Sequence, residues 1–123
     1  MKAQTINENI RFHKSQSEED FRDTLFNKPL PFEKVRPGDI AIDYNDEEYK
    51  VIDKIDKNAS KQKIKNFFKK YSTCGWDPFE DDIDIEDGVI AVHGDELGYF
   101  GGPGNEVFSY GFDGAVAYRY SLQ

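Results

Sequence analysis

The chain has 123 residues, 33% of them charged and 15% aromatic, with a formal net charge of −8. Ten Phe and seven Tyr give a chain of one-domain length enough apolar surface to bury a core, which argues against disorder. The single cysteine, Cys74, excludes an internal disulfide and a structural zinc site built from cysteines.

Residues 4–13 alternate weakly, with Ile6, Ile10 and Phe12 on one parity, and predict an edge strand. SQSEEDFRDTLFNKP (15–29) predicts a helix: Ser17 caps it, acids fill the first turn, and Pro29 ends it. DIAIDY (39–44) and YKVIDKI (49–55) predict a hairpin across a four-residue loop. Tyr44 then faces Tyr49 and Ile42 faces Val51, with Asp43–Lys50 and Asp39–Lys54 as ion pairs on the other face. A second helix follows, capped by Asn58 or Ser60, with Ile64, Phe67, Phe68 and Tyr71 on one stripe and six lysines around it. Asp87-Gly88 and Asp113-Gly114 are hairpin-turn signals. The first stacks Ile83, Ile85, Ile90 and Val92 on one face; the second pairs Phe112 with Ala115 and Tyr110 with Ala117. ELGYF (96–100) reads as a short strand between them. The expectation is an α+β fold, 1–123 as a single globular domain, with an antiparallel meander and two helices packed mainly on one side.

Charge is segregated along the chain. Residues 50–74 hold eight Lys and two Asp, whereas residues 75–123 hold eleven acids and Arg119 alone. DPFEDDIDIEDG (77–88) contains seven carboxylates and no base. Alternation there would place Asp82, Asp84 and Glu86 on the wet face of a strand, in one patch with Asp77, Glu80 and Asp81. Such a patch can occupy a basic groove that ordinarily holds phosphates, because carboxylates satisfy the same guanidinium forks. An EF-hand frame started at Asp82 fails, with Asp87 at the glycine position and His93 at the glutamate position, leaving only an irregular divalent-cation site. The GYFGGPGNE loop (98–106) has no following helix and is no phosphate loop.

RPGDIAI (36–42) resembles the Pro-Gly-Asp strand entry of NlpC-type cysteine peptidases, although there the cysteine precedes that entry. Independently, closing the Asp87-Gly88 turn would set Asp82 opposite His93, so that Asp82 could orient His93 beside a nucleophilic Cys74 in a small hydrolase. The clustered aromatics, Tyr99, Phe100 and Tyr110 among them, suit either a doubly covered hairpin or an interface core. The reading favoured by the charges is a non-enzymatic inhibitor without a cofactor, with Asp77, Glu80, Asp81, Asp82, Asp84, Glu86, Tyr99, Phe100 and Tyr110 facing its partner. That partner is a protein with a basic surface, such as a nuclease, toxin or nucleic-acid-binding effector, as for toxin-immunity and phage anti-CRISPR proteins. Neither nucleic acid nor membrane is expected to bind directly. No signal peptide or spanning run is visible, so a soluble cytoplasmic protein is expected.

Overall fold

Asp43 decides how the first hairpin closes. In the computed structural model, which describes residues 28–119, β1 (Ile40–Asp43) and β2 (Glu48–Asp56) pair antiparallel, with Ile40 opposite Lys50, Ala41 opposite Tyr49 and Ile42 opposite Glu48. One Asp43 oxygen accepts from the N–H groups of Asn45 at 2.8 Å and Glu47 at 3.0 Å; the other accepts from the Tyr49 hydroxyl at 3.0 Å. Asp46, at φ 64°, takes the left-handed position that tightens the turn. The expected register is therefore corrected, and the odd shift turns Asp39, Ala41 and Asp43 inward. Hydrogen bonds to a charged group contribute about 1.5–3 kcal/mol each, whereas exposed ion pairs contribute about 0–1 kcal/mol. The carboxylate thus organises the turn rather than pairing with Lys50. Lys54, released from Asp39, donates to the Phe32 carbonyl at 2.8 Å and lies 4.9 Å over the Phe32 ring.

Among the described residues, β3 (Gly88–Gly94), β4 (Gly104–Ser109) and β5 (Ala115–Tyr118) extend the β1–β2 pair to a five-stranded antiparallel sheet in the order β4-β3-β2-β1-β5. Neither Asp-Gly pair closes the expected hairpin, although the turn at Asp113-Gly114 is present. Gly88 begins a strand, opposite Asp56 of β2, and residues 77–87 form turns rather than a partner strand. Gly88 has no positive φ; a Cβ there would sit 2.6 Å from the Ile55 carbonyl oxygen, so the need is for close approach. Asp113-Gly114 does lie in a turn, but β5 leaves β4 and pairs with β1, Ala117 opposite Ala41. ELGYF is likewise turns, in the loop between β3 and β4.

That last crossing forces curvature. In a flat sheet β4 and β5 would lie four strand spacings apart, about 19 Å. Instead Tyr110 bridges Ala115, with Gly111 N–H donating to the Ala115 carbonyl at 2.9 Å, so the sheet curls into a half-closed barrel. Tyr110 is buried, and its hydroxyl donates to the Leu30 carbonyl and accepts from Ala117 N–H at 3.1 Å. Burial pushes its pKa up.

β3 is covered on both faces. Ile90 and Val92 look into the barrel with Val35, Val51 and Tyr110. Val89 and Ala91 meet α1 (Lys61–Tyr71) through Ile64, Phe67 and Phe68. This helix matches its expectation, including the Ser60 cap, whose hydroxyl accepts from Lys63 N–H at 3.2 Å. A bulge between Val51 and Asp53 lets β2 serve both layers, turning Ile52 and Ile55 to the helix side. Ile83 and Ile85 join the helix layer too, so they are not stacked with Ile90 and Val92 as expected. The described residues hold one α-helix where two were expected; the strand over 4–13 and the helix begun at Ser17 lie outside them. The strands and helix given ranges above all belong to one compact unit, Leu30–Tyr118.

Tyr110→Phe leaves the Leu30 carbonyl and the Ala117 N–H unpaired in the interior. Urea unfolding should show a loss of about 1–3 kcal/mol with an unchanged far-ultraviolet spectrum. A second check uses Tyr49, whose pKa is pushed from 10.0 to about 12 by burial and by its bond to Asp43. A raised phenol pKa contributes stability that is complete below pH 10 and lost as pH climbs towards 12. Tyr49→Phe should be less stable than the parent at neutral pH and flatter in that alkaline window; equal slopes would contradict the assignment.

Candidate functional site: an acidic groove

The chain leaving α1 is clamped to the edge of β4. Thr73 Oγ donates to the Asn105 carbonyl at 2.7 Å, Cys74 N–H to Glu106 Oε2 at 3.1 Å, and Trp76 N–H to Ser72 Oγ at 2.9 Å. The acidic run then begins as a knot of turns. Asp77 accepts from the N–H groups of Phe79 at 2.9 Å and Glu80 at 3.0 Å, while Asp81 accepts from Asp77 N–H at 2.8 Å. The Glu80 and Phe79 donors hold the Asp77 carboxyl below its usual range, and Lys65 and Lys61 on the helix add to the effect. Lys61 also lies 4.7 Å over the Phe79 ring. The lysine helix is thus, in part, an internal partner of the acids.

The six expected acids consequently do not form one row. Asp77 and Asp81 pin the knot, and Asp82 takes φ 54° beside an exposed Glu80. Asp84 and Glu86 face elsewhere, because Ser109 Oγ donates to the Asp84 carbonyl at 2.6 Å and draws the loop across β4. Two adjoining hollows open there. One of about 270 Å³ lies between Asp84, Glu86, Phe112 and Asp113; the other, of about 340 Å³, is walled by Tyr44, Trp76, Ile83, Phe108 and Glu106. They share Asp84, Ser109, Asp113 and Gly114, and so make one groove. Asp84, Glu86, Asp113 and Glu106 give it four carboxylates, and among the described residues no Lys or Arg lines it. Tyr44 and Phe112, 68% and 76% exposed, stand at its rim with Trp76.

Glu106 sits at the back with 6% of its surface exposed. Besides Cys74 N–H it accepts from Val107 N–H at 3.1 Å, and it bonds the Cys74 thiol. Sequence reasoning missed Glu106, Asp113, Tyr44 and Trp76. One signal was present: Glu106 is the only carboxylate between residues 97 and 112, directly before the apolar Val107 and Phe108. Tyr110, expected at the partner surface, is buried with its hydroxyl bonded inside the barrel, and it also lines the smaller hollow. Tyr99 and Phe100, 84% and 102% exposed, project from the tip of the β3–β4 loop and line neither hollow.

The hydrolase arrangement is not assembled. β3 pairs with β2 and β4, so His93 lies opposite Lys50 and Asn105 rather than Asp82, and its Nδ1 is 2.9 Å from the Asn105 side-chain oxygen. Cys74 is joined to Glu106, which, followed by burial, raises its thiol pKa. Among the described residues, no three His, Cys, Asp or Glu side chains are grouped to hold a metal ion, and no helix is long and apolar enough to cross a membrane. Comparison with protein families, with curated proteins and with solved structures finds no match for this chain.

With its thiolate disfavoured, Cys74 should react with iodoacetamide at pH 8 more slowly than free cysteine. Glu106→Gln should speed the reaction several-fold, read by mass spectrometry. A parent rate above that of free cysteine would reinstate an activated nucleophile.

Proposed function

We propose that this chain is a non-catalytic cytoplasmic binding protein that inhibits a macromolecular partner by receiving lysine and arginine side chains from its nucleic-acid-binding surface. The observation that carries the reading is the groove: four carboxylates and an aromatic rim, with no cation lining it among the described residues. Carboxylates accept from guanidinium groups in the same forked geometry as phosphates. Exposed tyrosine and tryptophan rings add cation–π attraction to an inserted ammonium or guanidinium. The acidic stretch therefore acts as a phosphate mimic at Asp84 and Glu86, with Asp113 contributed from the turn before β5. Glu80, Asp81 and Asp82, exposed outside the groove's lining, supply long-range steering. Toxin-immunity and phage anti-defence inhibitors are the classes this chemistry suits.

A fluorescein-labelled nona-arginine peptide tests the groove by anisotropy. Reversing Asp84, Glu86 and Asp113 together to Lys should weaken binding by roughly tenfold or more, as exposed pairs at three points change sign. Reversing the exposed Glu80, Asp95 and Glu96, which lie outside the groove's lining, alters net charge equally but should mainly slow association. Equal losses of affinity in both triples would reduce the effect to overall charge and overturn the groove as the binding site.

A further inference from the structure

The groove has a counterpart of opposite sign on the same molecule. Lys65 and Lys69 lie one turn apart on α1 and border a hollow of about 340 Å³ together with Gln62, Asn66, Trp76 and Asp77. Asp77 is already held by two backbone N–H groups, so its charge there is partly spent. Trp76 lines this hollow and the acidic groove alike. The indole, 46% exposed, stands between an acidic and a basic concavity.

We infer that a second copy of this chain docks on this face, as a two-fold dimer centred near Trp76. An isologous interface brings patch i of one copy against patch j of the other, and j against i. With Trp76 near the axis, each copy sets its Lys65–Lys69 face against the other's Asp84–Asp113 groove. Both contacts are attractive, and two large aromatic side chains occupy the centre, where interface energy concentrates. The net charge of −8 on each chain opposes approach. That repulsion is screened beyond about 8 Å at physiological salt, whereas the contacting pairs lie inside that range. The dimer uses the groove assigned above to a basic partner but does not rest on that assignment; the two occupants compete.

Sedimentation velocity over a wide concentration range reads the association. The parent should move from 14.2 kDa towards twice that mass as concentration rises, and high salt should return it to monomer. Lys65→Glu with Lys69→Glu should abolish the dimer, and so should Asp84→Lys with Asp113→Lys. Mixing the two variants should restore it, because one now carries two acidic patches and the other two basic ones. Restoration also shows that both variants remain folded. Trp76 is the only tryptophan, so its emission should shift to the blue on dimer formation. A parent that stays monomeric at low salt, a mixture that does not re-associate, or open-ended growth beyond the dimer would each overturn the proposal. A monomer that still binds nona-arginine defeats the dimer alone; a dimer whose monomer does not bind it defeats the proposed function alone.

Discussion

A single phenolic hydroxyl joins the two ends of the barrel. Leu30 N–H donates to the Ala117 carbonyl at 2.8 Å, and the Tyr110 hydroxyl satisfies the remaining polar group of each residue. The Ala117 groups are buried and the Leu30 carbonyl partly so, and there an unmade hydrogen bond is more costly than a made one is favourable. The same ring packs against Phe32, centroids 5.6 Å apart, and Phe32 in turn abuts Gly88 at the start of β3. The curl of the sheet, the seat of the segment before β1 and the close approach at Gly88 therefore meet at one side chain. The groove follows from the same constraint. It is the gap left where β4 and the turn before β5 draw together without forming a continuous ladder.

An open gap leaves a strand edge to be managed. Along β4 the Asn105 carbonyl is taken by Thr73, Val107 N–H by Glu106, and the Ser109 hydroxyl by the Asp84 backbone. Glu106 thus closes the edge and supplies the deepest negative charge of the groove. Its carboxylate is committed by hydrogen bonds, whereas the side chains of Asp84, Glu86 and Asp113 make none among the described residues. Three exposed acids around one anchored acid are well arranged to meet a cation without disturbing the sheet.

The helix was legible in the sequence because its stripe of Ile64, Phe67, Phe68 and Tyr71 repeats over two turns and its cap is local. The sheet was legible only as strands. Asp-Gly pairs announce turns, but nothing near Asp113 reveals that β5 will cross to β1, because that choice is made by Leu30 and Tyr110, 80 positions apart. The first hairpin failed on one residue: Asp43 was read as a surface charge, and its three donors become visible only once the turn is formed. In DIDIE the alternation was real, yet the isoleucines reach the helix layer from a loop, so burial alone did not imply a strand. The groove draws Tyr44, Trp76, Asp84, Glu106 and Asp113 from five separate places in the chain, and no local pattern could have assembled it.

Pairing of Ile40 with Tyr118 has a further meaning for how the chain comes off the ribosome. Local hairpins can form as they emerge, but closing a loop of nearly eighty residues carries an entropic cost that short-range contacts do not. Until residues 115–118 have been made, β1 lacks one of its two neighbours and the Tyr110 hydroxyl lacks the Ala117 N–H. From the emergence of β1 until that point the nascent segment therefore carries an incomplete barrel with an open strand edge. Closure, and with it the groove, waits for β5.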